Sequence, residues 1–291
     1  MTGMRGALIS RRRDGIFLTE RMLAGMQPAP DIVPQLTGAC AVLAHHLGDG
    51  LRAIHLYGSA VHGGLQPRSD IDLMVTVAQP LAGATREALM CALLAHSAPP
   101  GSPGALRALE VTVVVLGEVA PWRYPARREM QFGEWLRGDI LAGRFEPAMP
   151  DPDLAILLTK LRLHSVALVG PPAVDLFAPV PASDLRRALA DTIAQWDAPP
   201  DWQGEEASIL LALARIWYSA STGAIASKDA AAAWAAERMP PEHAALVQRA
   251  ARAYLDGLED GGLAAMPDAV AATIHWCKAR IAQLLRQKPA G

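Results

Sequence analysis

The sequence predicts an α+β protein: a first half that contains a β-sheet flanked by helices, and a second half that is all-helical. Before residue 170, helical patterns alternate with four short segments rich in β-branched and apolar residues, at 51–57, 71–77, 105–116 and 165–169. After Gly170-Pro171-Pro172 these strand signals end, and Ala-rich helical periodicity takes their place. This change in composition places a domain boundary near 172–182.

The helices of the first half follow from apolar periodicity and from the residues that interrupt it. A helix begins at Asp31, carries apolar residues at 32, 36, 40 and 43, and ends at Gly48-Asp49-Gly50. The amphipathic segment 84–98 predicts a second helix, which ends at a Pro- and Gly-rich loop. We expect mixed loop and helix over 121–150 and a further helix over 153–163.

The second half is predicted to be a helical bundle, and the first 28 residues are predicted to be a flexible extension. The predicted bundle helices cover 183–196, 205–222, 228–238, 241–256 and 267–287. The extension resembles a signal peptide only in Arg11-Arg12-Arg13, because its apolar run is too short, and Met26 is an alternative start. Deleting residues 1–25 should therefore leave activity intact. The predicted domains are 1–28 for the extension, 29–176 for the sheet domain and 177–291 for the helical domain.

Composition narrows the classes of function. The 291 residues are 51% hydrophobic, which favours a folded core, and the formal net charge is −2. A chain without excess positive charge has no broad basic surface for nucleic acid, so we expect a small-molecule partner and no nucleic acid. The three cysteines (Cys40, Cys91 and Cys277) lie far apart in apolar helical patterns. They predict reduced core residues of a cytoplasmic protein, and no apolar run is long enough for a membrane span.

The segment from His55 to Val77 carries the main chemical signal. It contains a strand, a Gly58-Ser59 turn and a second strand that begins at Asp70-Ile71-Asp72. Asp70 and Asp72 point to the same side because strand side chains alternate with period two. Two neighbouring carboxylates repel each other unless a cation lies between them, and hard oxygen ligands suit Mg²⁺. The turn supplies free backbone N–H groups and a hydroxyl for phosphate. The alternative is an ordinary turn followed by a solvated aspartate pair.

Gly-Ser followed eleven residues later by Asp-x-Asp resembles the signature of the nucleotidyltransferase superfold shared with DNA polymerase β. A closer resemblance covers about 31–285, in family order. LYGSAVHGGLQPRSDIDLMVTV, PWRYPARREMQFGEWLRGDILAGRFEPA, DLAILLTKLRLHSVALVGP and PPDWQGEEASILLALARIWYSASTGAIASKDAAAAW are similar to the aminoglycoside 3''-adenylyltransferases. That family inactivates streptomycin and spectinomycin. The resemblance implies a nucleotidyltransferase domain with a mixed β-sheet, followed by the helical domain.

The family resemblance also implies the reaction and its central residues. AMP would pass from Mg-ATP to the 3'' hydroxyl of streptomycin or the 9 hydroxyl of spectinomycin, releasing pyrophosphate. Asp70 and Asp72 would hold one or two Mg²⁺ ions, and Gly58, Ser59 and Ser69 would hold phosphates. Glu110, in an otherwise apolar strand, matches the catalytic glutamate; we expect it to act as general base and also as a metal ligand. The alternative for Glu110 is an edge-strand residue that faces water.

The helical half is expected to complete both substrate sites. Arg215 and Lys228 match family positions that contact nucleotide phosphates; the alternatives are a solvated helix arginine and a lysine near a helix start. The drug site should be aromatic and acidic, because the drugs carry guanidinium or methylamino groups. The expected drug-binding residues are Glu110, Trp135, Trp196, Asp201 and Glu205.

Some features of the drug site leave room for alternatives. Trp196 and Asp201 match the pair associated with streptomycin, so both drugs are expected substrates. Glu205 stands where the family often has Asp, and Ser208 where some members have His. The alternative for Trp196 and Trp202 is packing between helices, to which we also assign Trp217, Trp234 and Trp276. We interpret His55 as structural and give His62 no role.

Three rival functions remain open at this point: transfer to another small-molecule or protein hydroxyl, an inactive binding-only relative, and nucleic-acid binding. The intact set of Ser59, Asp70, Asp72 and Glu110 argues against an inactive relative. We expect a monomer with no membrane partner, in which ATP binds first and tightens the cleft.

Overall fold

The computed structural model describes residues 32–287 of the chain. Its strands are β1 Leu51–Tyr57, β2 Ile71–Val77, β3 Leu109–Val115, β4 Ala126–Arg128, β5 Met130–Phe132, β6 Met149–Asp151 and β7 Val166–Val169. Its α-helices are α1 Val33–Leu47, α2 Gly83–Leu93, α3 Leu116–Val119, α4 Arg137–Leu141, α5 Leu154–Leu163, α6 Ala173–Leu176, α7 Ala182–Ala194, α8 Glu206–Thr222, α9 Lys228–Ala236, α10 Pro241–Asp256 and α11 Pro267–Arg286.

The main sheet is mixed, as the family resemblance implies. Its strand order is β5-β3-β2-β1-β7, and β4 pairs with β6 as a separate ribbon. β2 runs parallel to β3 and antiparallel to β1, while β7 and β5 pair antiparallel at the two edges. The parallel pair requires a crossover, which α2 provides. The α+β class predicted from the sequence is therefore confirmed.

The two faces of the sheet are covered by different helices because strand side chains alternate in direction. On one face, Leu36 and Cys40 of α1 and Leu89 of α2 join the buried cluster formed by residues such as Ile54 and Leu73. On the other face, Tyr57, Met74 and Val114 pack with Leu154, Leu158 and Leu161 of α5. Helix α5 thus lies across the sheet on the side of the Tyr57 ring.

The helical half has a core of its own, centred on α8. Leu210, Leu213 and Trp217 of α8 are buried with Val247 of α10 and Ile274 of α11. Small Ala231 and Ala232 let α9 approach closely. The Trp217 ring lies 5.2 Å from that of Trp234 and 5.4 Å from that of Trp276, both edge-on. These contacts confirm the assignment of Trp217, Trp234 and Trp276 to the core, and Trp202 is also buried.

Several boundaries and one burial prediction are wrong. β3 covers 109–115 only, and 105–108 lies outside any strand; α2 ends at Leu93 and continues as a 3₁₀ turn at Leu94–His96. The segment 121–150, predicted as loop and helix, also contains β4, β5 and the start of β6. Each of these strands has only three residues, which is too short to show an alternation of period two in the sequence. Cys91 is exposed, because it lies on the outer face of α2, whereas Cys40 and Cys277 are buried.

Two predictions stay predictions. The predicted extension 1–28 lies outside the described residues. The domain boundary predicted between residues 176 and 177 also stays a prediction. None of the helices in residues 32–287 combines the length and hydropathy that crossing a bilayer requires.

Candidate active site

Strand register brings the acidic side chains together at one end of the sheet. Tyr57 of β1 pairs with Asp72 of β2, and Asp72 pairs with Glu110 of β3. Asp70 immediately precedes β2, two residues from Asp72 and therefore on the same side of the strand. The predicted convergence of Asp70, Asp72 and Glu110 thus follows from two adjacent parallel strands, and all three line one cavity.

The turn after β1 is shaped to receive the Asp72 carboxylate. Gly58 has φ +72°, and a Cβ built there would lie 1.7 Å from Asp72 Oδ2. Only glycine avoids both the strained backbone and this collision. The backbone N–H of Ser59 donates to Asp72 and lowers the pKa of that carboxyl. The turn therefore holds Asp72 directly, and Ser59 lines the cavity.

Burial and mutual repulsion perturb the pKa of each carboxyl group. Burial, followed by the charges of Asp72 and Asp70, raises the pKa of Glu110 to about 8. Burial and the Asp72 charge raise the pKa of Asp70 to about 6. Burial also raises the pKa of Asp72, against the opposing charges of Lys160, Lys228 and Arg215. Such a cluster favours the binding of cations.

Three cations face the acidic cluster. Arg215 comes from the middle of α8 and Lys228 from the first residue of α9, both in the helical half, whereas Lys160 comes from α5. Burial lowers the pKa of Arg215 and of Lys228, and Asp72 opposes that shift for both. The two residues predicted from the sequence therefore line the same cavity as the acids. Both are half-buried, and Lys228 is also the first residue of its helix, as its alternative interpretation expects.

The loop that carries Ser69 and Asp70 is fixed from both halves of the chain. The Arg107 guanidinium donates to the backbone carbonyl of Gln66 at 2.7 Å and to that of Ser69 at 3.3 Å. The Ser69 hydroxyl lies 3.2 Å from the hydroxyl of Tyr254 on α10, and Lys228 Nζ lies 4.9 Å from the centre of the Tyr254 ring. Tyr254 and Arg107 were absent from the sequence prediction, because nothing in the local pattern links either residue to this loop.

Glu110 has a neighbour that holds it in place. Gln131 Nε2 donates to Glu110 Oε1 at 3.2 Å, and Thr112 Oγ1 donates to Gln131 Oε1 at 3.0 Å. Thr112 and Gln131 are opposed in the β3–β5 pairing. The edge strand β5, which sequence reasoning missed, therefore orients the predicted base through a buried amide.

These groups line a cavity of about 350 Å³ between the sheet and the helical half. Its lining includes every predicted nucleotide-binding and metal-binding residue, namely Gly58, Ser59, Ser69, Asp70, Asp72, Glu110, Arg215 and Lys228. Apolar walls come from Ile156 and Leu157 of α5 and from Ile216 of α8. At its far end Thr192 donates to Asp153 at 2.6 Å.

The predicted drug-binding residues are distributed unevenly. Trp196 lines the cavity, and Lys278 donates to its backbone carbonyl. The Trp135 ring is 61% exposed and lies against Gly133. Asp201 accepts hydrogen bonds at 2.8 Å from the backbone N–H groups of Asp197 and Ala198, and so closes its own loop. Glu205 is exposed and is not among the residues that line the cavity. After burial and the charges of Asp72 and Glu134, the Glu205 charge also raises the pKa of Asp70.

The histidines near the motif have different environments. His55 is fully buried on β1, and its Nε2 lies 3.0 Å from the backbone oxygen of Pro171, in agreement with the structural interpretation. His62 stacks on His164, with ring centres 4.0 Å apart, and both rings line the cavity. Sequence reasoning gave His62 no role and therefore missed this contact.

The acidic side chains of the cavity are the kind of ligand that Mg²⁺ prefers. Asp70, Asp72 and Glu110 supply hard carboxylate oxygens, and a Cβ at Gly58 would remove the space for Asp72. Within residues 32–287, no three His, Cys, Asp or Glu side chains form a group that could hold a metal by themselves. Mg²⁺ that binds together with a nucleotide takes one or two carboxylates from the protein and its remaining oxygens from phosphate and water. Asp70 and Asp72 are carboxylates of that kind in the cavity lining.

The chain is similar to aminoglycoside and spectinomycin adenylyltransferases. A family model described as aminoglycoside adenylyltransferase, C-terminal domain, matches residues 175–280. The aminoglycoside (3'')(9) adenylyltransferase of Escherichia coli is 54% identical over 255 residues, which are 88% of this chain and 97% of that protein. A spectinomycin 9-adenylyltransferase of Staphylococcus aureus is 40% identical over 213 residues, or 73% of this chain and 81% of its own.

A solved structure is similar over nearly the same extent. The crystal structure of the spectinomycin adenyltransferase AAD(9) from Enterococcus faecialis, with ATP and spectinomycin, superposes with a TM-score of 0.80 at 29% identity. It covers 86% of this chain and 98% of its own.

Proposed function

This chain belongs to the aminoglycoside (3'')(9) adenylyltransferase family, and we propose that it transfers AMP from ATP to a hydroxyl of streptomycin and of spectinomycin, releasing pyrophosphate. The result is antibiotic resistance by adenylylation. ATP is the co-substrate, as the ATP-bound structure of the similar enzyme supports. Because it consumes ATP, the reaction is assigned to the cytoplasm, and the enzyme is proposed to act as a monomer without nucleic acid.

One observation carries this proposal. Adjacent parallel strands put Asp72 beside Glu110 in the lining of a cavity to which the helical half contributes Arg215 and Lys228. Phosphoryl and nucleotidyl transfer need carboxylates that bind a metal ion or act as a base, and cations that bind the polyphosphate. Both kinds of group line this cavity. A binding-only protein would gain nothing from burying three carboxylates together.

Glu110 is proposed as the general base. Its carboxylate accepts the proton of the drug hydroxyl while that oxygen attacks the α-phosphorus of ATP. The bond from the α-phosphorus to the bridging oxygen breaks, and pyrophosphate leaves with the electron pair. Glu110 then returns its proton to solvent. Burial, followed by the charges of Asp72 and Asp70, raises the pKa of Glu110 to about 8, which makes its carboxylate a stronger base. The positive charge of Mg²⁺ bound beside it would favour the ionised form that accepts the proton.

Magnesium is proposed to be held by Asp70 and Asp72, with Glu110 as a further ligand. When bound, it would neutralise charge on the phosphates and on the leaving pyrophosphate. The residues of the chain position the nucleotide: Gly58 shapes the turn, Ser59 and Ser69 offer their hydroxyls, and Arg215 and Lys228 offset phosphate charge. Ser69 is kept in place by Tyr254.

The drug is proposed to lie beside Glu110, against Trp196 and within reach of Trp135, Asp201 and Glu205. Trp196 supports this placement because it lines the same cavity as the acids, although it also packs against the core of the helical half. Glu205 is included because, after burial and the charges of Asp72 and Glu134, its charge adds to the raised pKa of Asp70. An indole face and carboxylates suit the cationic groups of both drugs.

A direct assay tests the proposed function. The full chain is incubated with Mg-ATP and each drug, pyrophosphate release is followed, and the drug product is weighed by mass spectrometry. The expected result is a mass gain of one AMP on both drugs, absent for Asp72→Asn. No adenylylated product with either drug would overturn the proposal and favour another acceptor hydroxyl. A dimer mass in size-exclusion chromatography with light scattering would overturn the proposed monomeric state.

A further inference from the structure

Lys160 is a cation inside the cavity that the function proposed above does not use. It belongs to a stripe formed by Ile156, Leu157 and Lys160 of α5 together with the residues that flank the helix, Asp153 and His164. The spacing of three, four and seven residues places these side chains on one face of the helix, and all of them line the cavity. The stripe therefore changes from apolar to cationic at the point where α5 passes the acidic cluster.

The Lys160 ammonium has no direct partner in the described part of the chain. No carboxylate oxygen lies within 4.0 Å of it, and no hydrogen bond involves it, among residues 32–287. Its nearest defined contact is the face of the Tyr57 ring, whose centre is 5.4 Å from Nζ. A partly buried ammonium without an ion pair is costly and indicates that an anion completes its environment.

The position of Tyr57 shows where that anion belongs. Tyr57 is the strand neighbour of Asp72, which in turn neighbours Glu110. Burial and the Arg215 charge lower the pKa of Lys160 to about 8, whereas the charges of Asp72 and Glu110 raise it. Lys160 is thus close to the metal-binding and base carboxylates, whereas Lys228 lies over Tyr254 next to Ser69.

We propose that Lys160 is a catalytic residue that donates a hydrogen bond from Nζ to a non-bridging oxygen of the ATP α-phosphate. Its role is to stabilise the negative charge on these oxygens while the drug oxygen bonds to the α-phosphorus and pyrophosphate departs. The ammonium keeps its proton throughout, so the proton of the drug hydroxyl still goes to Glu110. Since Lys160 is assigned to a step of the transfer, this assignment rests on the proposed function.

A structural role would be different: Lys160 could simply neutralise Asp72 and Glu110. The two roles separate when ATP carries sulfur in place of one non-bridging α-oxygen. If Lys160 donates a hydrogen bond to one non-bridging α-oxygen, the diastereomer with sulfur at that position should react more slowly with the wild-type enzyme, because sulfur accepts hydrogen bonds weakly. Neutralisation of the carboxylates alone predicts no such link between Lys160 and a single diastereomer.

The experiment compares wild type with Lys160→Met, Lys160→Arg and the exposed control Arg280→Met on α11. For Lys160→Met we expect kcat to fall about 10²–10³-fold, as for loss of one transition-state donor, while ATP affinity measured by calorimetry changes less than about tenfold. The thio effect of one diastereomer should shrink in the same variant. Lys160→Arg should recover part of kcat, and Arg280→Met should match wild type.

The outcomes that would overturn the assignment are distinct. Wild-type kcat in Lys160→Met, or thio effects identical to wild type in both Lys160 variants, would exclude contact with the α-phosphate. Thermal melting shows whether Lys160→Met is folded. If it is unfolded, the thio effects of Lys160→Arg test the contact with the α-phosphate instead. If wild type adenylylates neither drug, the proposed function fails and the role of Lys160 fails with it; if wild type is active, only the lysine is tested.

Discussion

Asp72 and Glu110 on one wall of the cavity, and Arg215 and Lys228 on the other, are held by different kinds of structure. The acids stand on β2 and β3, where continuous pairing fixes their separation. The cations stand on α8 and α9, and reach the acids only because the helical core packs beside the sheet. The acidic wall therefore depends on local backbone geometry, and the basic wall depends on how two halves of the chain meet.

This difference teaches where each kind of change should act. On the strand wall, small displacements should impair the chemical step, since the reacting groups are positioned there. On the helical wall, loss of a cation should mainly weaken the binding of nucleotide, since charge is being matched over a larger surface. Four variants test this contrast.

The largest effect is expected for Glu110→Gln. The amide keeps the size of the side chain but cannot accept the hydroxyl proton, so kcat should fall by about 10²–10⁴-fold. Steady-state kinetics with both drugs measure this, and ATP affinity should stay close to wild type. Glu87→Gln, an exposed change on α2, is the control. Turnover within a few-fold of wild type in Glu110→Gln would exclude the base role.

Gly58→Ala should have the next largest effect. The new Cβ would collide with Asp72 Oδ2 and the backbone would be strained at φ +72°. Displacing Asp72 by about 1 Å should lower kcat by on the order of 100-fold. Gly50→Ala is a suitable control, because nothing lies within 4 Å of the Cβ it would add. Equal activity of both alanine variants would show that the turn does not position Asp72.

Arg215→Met tests the helical wall. Loss of one charge-assisted contact to phosphate is worth about 1.5–3 kcal/mol, so the dissociation constant of ATP should rise by about 10–100-fold. The change in kcat should be smaller than in Glu110→Gln. Calorimetric titration with ATP measures it, with the exposed Arg252→Met on α10 as control. Unchanged ATP affinity would remove Arg215 from the nucleotide site.

The smallest effect concerns stability, and it belongs to the strand half. Burial lowers the pKa of His55 from 6.5, so the folded state disfavours its protonated form. The unfolded chain takes up the proton first as pH falls, so stability is present above pH 6.5 and is lost below it. Between pH 7 and 5.5 the free energy of unfolding should fall by about 1 kcal/mol because of His55.

His55→Gln checks this sign. The variant should be less stable at neutral pH, yet lose less stability on acidification than wild type in urea titrations at both pH values. A pH dependence identical to wild type would assign the acid sensitivity to another group.

Sequence patterns were sufficient where a function depends on near neighbours. The spacing of Gly58, Asp70 and Asp72 predicted a strand, a turn and a shared carboxylate face, and β1 and β2 have the predicted bounds. Period-two alternation and turn chemistry are properties of a few consecutive residues, so they are legible without a fold. The family resemblance added Glu110, Arg215 and Lys228, which the cavity unites.

Tertiary structure alone decided which distant residues support those groups. Gln131 reaches Glu110 from an edge strand too short to recognise, Tyr254 reaches Ser69 from 185 residues away, and Arg107 gathers carbonyls of a remote loop. Lys160 lies at helical spacing from Ile156 and Leu157, so the sequence places the three side chains on one face of a helix. A lysine beside apolar residues on such a face is equally typical of a helix at the protein surface. Whether a side chain faces solvent or a cavity depends on what packs against its helix, and that information lies in the rest of the chain.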